Sequence, residues 1–376
     1  MNIPFNKPFI IGHEVDYIRE AVASGKISGD GVFTEKCHNF FEKRYGFKKT
    51  LLTTSCTDAL EMAAILCDIQ PGDEVIAPSY TFVSTVNAFV LRGATIVFAD
   101  SKETTPHIDA SQIESLVTPK TKAIVPVHYA GFACDMDAIL EIARKYGVFV
   151  VEDAAQAIES FYNGQPLGSL GQFAAFSFHE TKNIISGEGG MLVINEQRYV
   201  KRGEIIREKG TNRPAFFRGE VDKYSWVDIG SSFLPSDIIA AFLYAQLENL
   251  EEIQAKRTSL WNLYYNGLKP LEEAGYIHLP VIPDYSTNNA HMFYILCAGL
   301  NERTKLIEHL NRNGILAVFH YLSLHKSPFY KDRHDGRKLP NSDRYSDCLV
   351  RLPMYYELEI ENIDRIIQDI SRFFMR

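Results

Sequence analysis

Three short segments of the chain carry polar side chains of the kinds that a catalytic site uses. Asp153 and Gln156 lie in EDAAQA, and Ser177 and Lys182 lie in SFHETKN. Residues 55–60, SCTDAL, place a serine of the N-cap type directly before an apolar helical pattern. Together these segments offer a carboxylate, an amide, hydroxyls, an amine and the backbone N–H groups of a helix start.

This combination matches the needs of pyridoxal phosphate (PLP) chemistry. The cofactor forms a Schiff base with a lysine amine, and a carboxylate keeps its pyridine nitrogen protonated so that the ring withdraws electrons. The N–H groups of a helix N-terminus bind a phosphate dianion. Lys182 and Asp153 supply the first two groups, and the helix start at Cys56 and Thr57 supplies the third. These residues therefore predict a PLP site.

Each residue also has an ordinary structural explanation. An Asp after a strand is often a helix cap, a loop Lys is usually solvated, and SCT is a common N-cap. What favours a site is their joint position after strands of one predicted sheet. Ser177 then adds a hydroxyl for the phosphate, and Phe82, in SYTFVST, is placed to lie against the cofactor ring.

The elements that position these residues alternate between short apolar runs and amphipathic helical periods over residues 48–195. Strands are predicted at Thr50–Thr53, Glu74–Ala77, Thr95–Phe98, Ala123–Val127, Val148–Val151, Phe173–Phe178 and Met191–Ile194. Helices are predicted at Thr57–Cys67, Phe82–Leu91 and Met136–Tyr146. This alternation is typical of an α/β fold whose mostly parallel sheet is covered by helices on both faces. In such folds ligands bind beyond the carboxyl ends of the strands, where the three polar segments lie.

The pattern changes after about residue 245. A core helix over Ile238–Leu247 precedes a long polar helix over Leu247–Leu268. Strands are predicted at Met292–Cys297 and Leu316–Phe319, with helices over Glu302–Asn313 and from about Ile360. We therefore expect a large domain over residues 1–245 and a smaller α+β domain over residues 246–376.

Composition and motifs exclude several classes of protein. Of 376 residues, 39 are Lys or Arg and 47 are Asp or Glu, and the net charge of -8 argues against a nucleic-acid partner. No apolar run is long enough for a membrane span, and MNIPFNKPFI lacks the pattern of a signal peptide. The six cysteines form no CxxC pair, so we expect no metal site and reduced thiols in the cytoplasm. GxGxxG and GxxxxGK[ST] are missing, which disfavours a simple dinucleotide or P-loop enzyme.

The chain resembles the DegT/DnrJ/StrS family of nucleotide-sugar aminotransferases. The segments that carry this resemblance are PSYTFVST, VEDAAQA, and SFHETKN with the following GEGG. The resemblance runs from SGKISGDG near the N-terminus to RLPMYYEL near the C-terminus. It implies the fold-type I architecture of PLP-dependent transferases, with a large PLP-binding domain and a small C-terminal domain. It also implies a homodimer with shared active sites.

The resemblance gives the cofactor-site residues individual roles. Lys182 holds the cofactor and then acts as the base in the proton shift, and Asp153 pairs with the pyridine nitrogen. Gln156 approaches the ring hydroxyl, and Phe82 packs on the ring. The phosphate contacts are Cys56, Thr57 and Ser177.

The substrate residues rest on less specific patterns. Tyr321 and His325 form a YxxxH pattern that resembles the family position near the sugar. Three cationic residues are predicted to bind the nucleotide diphosphate by reaching across a dimer interface: Lys209, Arg213 and Arg218. A solvated basic loop is the alternative interpretation of those three.

One departure from the family pattern concerns the partner subunit's phosphate contact. Many members carry an Asn in GYNxRM that reaches the cofactor phosphate of the partner. The corresponding segment here is GSSFLP, with Ser232 aligned to that Asn. Either Ser231 or Ser232 takes over the contact, or the contact is lost.

A subgroup resemblance in PVHYAG, REKGTNR and DKYSW followed by DIGSS indicates a substrate. It implies transfer of the amino group of L-glutamate to C4 of dTDP-4-dehydro-6-deoxy-D-glucose. The product, dTDP-4-amino-4,6-dideoxy-D-galactose, would serve surface polysaccharides such as enterobacterial common antigen or O-antigen. The alternatives are amination at C3 or with the gluco outcome, and a non-catalytic binding protein on the same fold. A further alternative is a sugar dehydratase, in which His commonly replaces the lysine; here Lys182 is intact, with His179 nearby.

Overall fold

The structure is a computed structural model that describes residues 2–375. Its first helices are α1 (Glu14–Ala23), α2 (Val32–Tyr45), α3 (Cys56–Leu66), α4 (Ser84–Val90), α5 (Ala110–Leu116), α6 (Met136–Tyr146), α7 (Val200–Arg207) and α8 (Arg213–Phe217). They are followed by α9 (Asp237–Glu248), α10 (Leu250–Glu273), α11 (Leu300–Arg312), α12 (Pro340–Cys348) and α13 (Ile360–Phe374).

The strands of the central sheet are β1 (Lys49–Thr53), β2 (Glu74–Pro78), β3 (Thr95–Ala99), β4 (Thr121–Ile124) and β5 (Phe149–Asp153), then β8 (Phe173–Ser177) and β9 (Gly190–Ile194). A short hairpin pairs β6 (Phe161–Tyr162) with β7 (Gln165–Pro166), and a second pair joins β10 (Tyr294–Leu296) to β11 (Leu349–Arg351). The seven-stranded sheet has the order β1-β9-β8-β5-β4-β2-β3, and β9 runs antiparallel to both of its neighbours. The other pairings are parallel, as the alternating pattern predicts.

Apolar residues cover this sheet on both faces because successive side chains of a strand point to opposite sides. Val75 and Ala77 of β2 pack in one core with α3 and α4, whereas Ile76 packs in the other core with α2 and α6. The result is a three-layer α/β fold of fold-type I, which confirms the predicted fold class.

A third core lies in the C-terminal part of the chain. It joins side chains of α10, α11 and α13 to the β10–β11 pair. Tyr80 and Tyr129, from the loops after β2 and β4, are buried in the same core. The C-terminal elements therefore dock on the sheet edge at which the predicted site lies. The division at residues 245 and 246 stays a prediction.

Two predicted elements differ from those of the structure. The polar helix begins at Leu250 because Asn249 leaves the helical conformation (φ -112°, ψ 16°) and separates α9 from α10. The strand predicted over Leu316–Phe319 is wrong. Val318 makes an isolated bridge to Arg351, and Ile315, just before the segment, makes another to Ile3, but no continuous ladder forms.

Within residues 2–375, no helix has both the length and the apolar character that crossing a bilayer requires. All six cysteines of the chain have free thiols in this structure.

Candidate active site

The carboxyl ends of the parallel strands open on a cavity of about 550 Å³. Most of the residues predicted for the cofactor line it: Cys56, Thr57, Phe82, Asp153, Gln156, Ser177 and Lys182. Tyr321, predicted at the sugar, lines the same cavity from the C-terminal part of the chain. The sheet topology thus brings together side chains that lie far apart in sequence.

One end of the cavity is the N-terminus of α3. Ser55 caps the helix, since its Oγ accepts a hydrogen bond from the Asp58 N–H at 3.1 Å. Thr57 Oγ1 donates to Ser84 Oγ at 2.9 Å. The first N–H groups of a helix have no intrahelical acceptor, and they carry the positive end of the helix dipole. This end of the cavity suits a phosphate dianion.

Gly190 allows the chain to approach α3 this closely. A Cβ at Gly190 would overlap the backbone carbonyl carbon of Ser55 and the nitrogen of Cys56. We therefore expect Gly190→Ala to displace the helix start, at a cost of about 1–3 kcal/mol in stability. PLP should bind about tenfold or more weakly, as measured by titration of the cofactor-free protein.

Gly299→Ala is the matched control for this substitution. Apart from its chain neighbours, no atom of the residues that the structure describes lies within 4 Å of a Cβ built at Gly299, and its φ of -178° suits any residue. Both affinity and melting temperature should stay near their original values in the control. Unchanged PLP affinity in Gly190→Ala would contradict the assignment of the phosphate end.

The carboxylate that faces the cavity belongs to Asp153, the last residue of β5 and not, as predicted, a residue after the strand. Its Oδ2 accepts from Thr85 Oγ1 at 2.6 Å, and its Oδ1 accepts from the Ala155 N–H at 3.2 Å. Burial raises the pKa of this carboxyl. A buried carboxylate of this kind is stabilised by a cationic or protonated partner, such as a pyridinium nitrogen.

Its neighbour Glu152 points to the other face of the strand and has a structural role. Glu152 Oε2 lies 2.9 Å from His128 Nε2 and accepts from the Gly168 N–H at 2.8 Å. Its Oε1 accepts from the N–H groups of Leu170 and Gly171. In the ED pair, strand alternation therefore directs one carboxylate to the loop behind the sheet and the other to the cavity.

Lys182 lies in the turn that follows β8, where its N–H donates to the carbonyl of His179 at 2.9 Å. Burial lowers the pKa of its amine to about 8, and the positive charge of Arg351 acts in the same direction. Cys56 and Asp153 oppose this shift. A lysine with such a pKa has a substantial neutral fraction near pH 7.5, which proton transfer and imine formation both require.

This shift predicts a pH dependence. In the cofactor-free protein, acylation of Lys182 should rise with pH to a midpoint near 8, because only the neutral amine reacts. In the urea-unfolded chain the midpoint should lie near the ordinary lysine value of about 10.4. Quantitative mass spectrometry of the modified peptide measures both profiles. Equal midpoints in the folded and unfolded chains would contradict the proposed environment.

Gln156 is held in one orientation by its neighbours. Its Oε1 accepts from the Ala130 N–H at 2.6 Å, and its Nε2 donates to the Tyr321 hydroxyl at 3.1 Å. Asn289 fixes the backbone here, since its Nδ2 donates to the carbonyls of Gln156 and Ile158, each at 2.7 Å. The amide therefore presents an N–H to the cavity next to a phenol.

The C-terminal part of the chain adds cavity residues that were not predicted from the sequence: His291, His320 and Arg351. His291 Nδ1 is bound to Asn183 Oδ1 at 2.9 Å, and His320 Nδ1 to the Tyr129 hydroxyl at 2.7 Å. Burial lowers the pKa of both imidazoles well below the usual value, which favours their neutral forms. A polar residue at the end of an apolar run, as in NAHMF, VFHY and LVR, is the sequence signal they share.

His325, predicted beside the sugar, lies outside this cavity. It is 6% exposed, and its Nδ1 lies 2.7 Å from Ser79 Oγ. A short 3₁₀ turn over Leu324–Lys326 carries the ring away from Tyr321. The histidine that does lie beside Tyr321 is His320, whose ring stacks on it with centroids 3.5 Å apart.

The predicted diphosphate residues lie on a separate surface of the same chain. Lys209 and Arg213 both pair with Glu208 Oε1 at 3.3 Å, and Arg218 lies between Glu204 and Glu220. Ser231 and Ser232 are exposed beside them, in the segment that bridges back to Glu208. None of the five lines the cavity of its own chain. Their predicted roles concern a second subunit and stay predictions.

The fold and the cavity together define a class, the fold-type I PLP-dependent transferases. The chain belongs to the DegT/DnrJ/EryC1/StrS aminotransferase family, whose sequence model matches residues 8–371. The protein is therefore an enzyme, a sugar aminotransferase of a family that uses PLP.

Solved structures support the assignment over the whole chain. DesV from S. venezuelae is 30% identical, with a TM-score of 0.90, and the match covers 100% of this chain and 99% of that one. The aminotransferase TlmJ from Streptoalloteichus hindustanus is 27% identical, with the same coverage and a TM-score of 0.92. Spr1654 from Streptococcus pneumoniae, assigned as a sugar aminotransferase, is 26% identical in its PLP form, with a TM-score of 0.90 and again 100% and 99% coverage.

Proposed function

We propose that the enzyme moves the amino group of L-glutamate to C4 of dTDP-4-dehydro-6-deoxy-D-glucose and forms dTDP-4-amino-4,6-dideoxy-D-galactose. The observation that carries amino transfer is the meeting of Lys182, Asp153 and the N-terminus of α3 in one cavity. The choice of sugar and of carbon rests on the segments PVHYAG, REKGTNR and DKYSW. A role in surface polysaccharide synthesis in the cytoplasm belongs to the same proposal.

The residues of the cavity fit the cofactor part by part. When bound, PLP supplies an electron sink for the charge left on the substrate carbon after proton loss. Asp153 would hold the proton on the pyridine nitrogen, since Thr85 and the Ala155 N–H orient its carboxylate. Gln156 would donate a hydrogen bond toward the ring oxygen, and Phe82, with 56% of its surface exposed, would pack against the cofactor ring.

Lys182 moves the proton. Its Nζ, neutral in a substantial fraction near pH 7.5, would take the α-proton of the amino donor and return a proton to the cofactor carbon on the far side of the donor nitrogen. Water would then release the 2-oxo acid, and the amine would stay with the cofactor. Reversal of these steps with the keto sugar would place the amine on the sugar and release the water. Both half-reactions use the same amine, so its distance from the substrate carbon has to suit both substrates.

A second copy of the chain completes the proposed site. The segment that carries Arg213 and Arg218 also exposes Phe217 (71%) and Trp226 (80%). Large exposed aromatic side chains next to cations are typical of surfaces that bind a partner. In a homodimer they would bring Lys209, Arg213 and Arg218 to the diphosphate, and Ser231 or Ser232 to the cofactor phosphate, of the neighbouring subunit.

Incubation of the purified enzyme with the keto sugar and glutamate tests the proposal, with the product assigned by NMR. We expect 2-oxoglutarate and a sugar with an axial amine at C4. A product with an equatorial C4 amine or with a C3 amine would show that the enzyme is a different sugar aminotransferase from the one proposed. A deoxygenated sugar without oxoglutarate would indicate a dehydratase, and a colourless protein that takes up no PLP would indicate a non-catalytic relative.

A further inference from the structure

His291 is a polar residue of the cavity wall to which the proposed chemistry assigns no role. It is 4% exposed, and a buried cation holds its backbone. Arg257 donates from Nε to the Ala290 carbonyl at 3.1 Å and from Nη2 to the His291 carbonyl at 2.6 Å. Ala290 has a φ of 52°, in the left-handed region that residues other than glycine rarely adopt. Backbone strain of this kind is costly, and it persists where the surrounding structure holds it, often at functional sites.

The hydrogen bonds around His291 fix the tautomer of its ring. The carbonyl of Asn289 can only accept, so the group of Asn183 that meets it at 2.8 Å is the side-chain NH₂. The Oδ1 atom of Asn183 therefore faces His291 Nδ1, at 2.9 Å, and this oxygen also only accepts. Nδ1 has to carry the ring proton. Burial lowers the pKa of His291 and favours the neutral form, in which Nε2 keeps a free lone pair.

This second ring nitrogen is an open acceptor. Among the residues that the structure describes, Nε2 has no hydrogen-bond partner, although His291 lines the cavity. Lys182 lines the same cavity, and after burial its positive charge is the largest cause of the lowered pKa of His291. The imidazole and the amine are therefore neighbours. A desolvated acceptor without a donor is costly, so this nitrogen suits a ligand that carries an O–H or N–H group.

We propose that His291 Nε2 accepts a hydrogen bond from the C3 hydroxyl of the keto sugar. The carbon that receives the amine, C4, has to lie beside Lys182, and His291 is a neighbour of that lysine. Of the two ring carbons bonded to C4, C3 carries a hydroxyl donor. C5 carries a methyl group and the ring oxygen, neither of which donates. The inference rests on the proposed function, since it takes this keto sugar as the substrate.

The amino donor offers no such partner. The reacting carbon of glutamate carries one carboxylate directly and a second at the end of its side chain, and ionised carboxylates only accept. The single donor group of glutamate is its amine, which passes to the cofactor. His291 therefore complements the sugar and not the amino acid. Loss of the acceptor should slow the half-reaction of the sugar alone, whereas structural damage to the site would slow both half-reactions.

His291→Phe keeps a planar ring and removes the acceptor. Each half-reaction is measured in a single turnover by the absorbance of the cofactor. We expect the half-reaction of the keto sugar to slow by about 10–100-fold, because a hydroxyl loses its acceptor in a desolvated site. The half-reaction of glutamate should keep its rate. His309→Phe is the control: this partly buried histidine of α11 lies outside the cavity, and both rates should stay unchanged.

The native enzyme tests the same contact from the side of the substrate. dTDP-4-dehydro-3,6-dideoxy-D-glucose lacks the C3 hydroxyl, and it should react about 10–100-fold more slowly than the full keto sugar. With this analogue His291→Phe should cause no further loss. Equal rates of the native enzyme with the two sugars would overturn the assignment. Equal losses in the two half-reactions of His291→Phe would do so as well, since they would assign the ring a structural role.

The tautomer is measured without turnover. In the cofactor-free protein labelled with ¹⁵N-histidine, the ring signals lost in His291→Phe identify this residue by NMR. We expect the proton on Nδ1, whereas free neutral histidine carries it mostly on Nε2. A proton on Nε2 would remove the acceptor and overturn the inference. A native enzyme that aminates neither sugar would contradict the proposed function, and the assignment of the hydroxyl would fall with it.

Discussion

Lys182→Ala is expected to abolish amino transfer, with turnover falling by at least about 10³-fold. The variant loses both functions of the amine, the covalent hold on the cofactor and the movement of the proton. Among residues 2–375, no other lysine lines the cavity. Formation of 2-oxoglutarate from glutamate and the keto sugar measures the loss, and the absorbance of the cofactor reports the missing covalent link.

Small amines and a second lysine make this test specific. Methylamine can enter the space that the side chain leaves and should restore part of the proton transfer. Lys102→Ala removes a half-buried lysine that pairs with Asp135 at 3.6 Å outside the cavity, and it should keep the original rate. Persistent transaminase activity in purified Lys182→Ala would show that the base has been misassigned.

Asp153→Asn should lower turnover by about 10²–10³-fold while some cofactor remains bound. The carboxamide keeps the size of the side chain, but it cannot balance the charge of a protonated pyridine nitrogen. The proton on that nitrogen is then lost and the ring becomes a poorer electron sink. Turnover at saturating PLP and the Kd of PLP, measured separately, distinguish slower chemistry from weaker binding.

The neighbouring carboxylate provides the control for Asp153. Glu152→Gln changes an equally buried acid one residue earlier, but that side chain binds His128 and the loop over residues 168–171. We expect it to lower the melting temperature and to leave turnover per folded molecule close to that of the original enzyme. A near-normal rate in Asp153→Asn would remove its proposed role in the chemistry.

Local patterns predict the central sheet well, since a strand buried on both faces leaves a continuous apolar run. The predicted helix Met136–Tyr146 coincides with α6 because its ends carry local signals. Asp135 caps its start, and Gly147 ends it with a φ of 67°. Leu316–Phe319 shows the limit of this reasoning: its residues have strand propensity, but their backbone partners are scattered, with Leu316 bonded to Ile3 and Val318 to Arg351, and no ladder forms.

Local patterns likewise predict some residues of the candidate site and miss others. Residues at or just after the carboxyl ends of sheet strands, such as Asp153 and Lys182, can be predicted because parallel strands bring these ends to one edge. His320 and His325 cannot be told apart in this way. Which of them faces the cavity depends on a turn at Leu324 and on the hydrogen bond between His325 and Ser79, which is distant in sequence.

The sequence by itself therefore determined the type of chemistry: an amine, a carboxylate and a helix start at the carboxyl ends of sheet strands, in a chain of the aminotransferase family. Only the tertiary structure decided which residues form the cavity wall that faces the carboxyl ends of the sheet strands. Arg351 and His291 reach the cavity because the C-terminal core packs around Tyr80 and Tyr129 at the sheet edge. That packing is a contact between elements far apart in the chain, and the periodicity of each element reports which of its faces is apolar but not which surface will cover it.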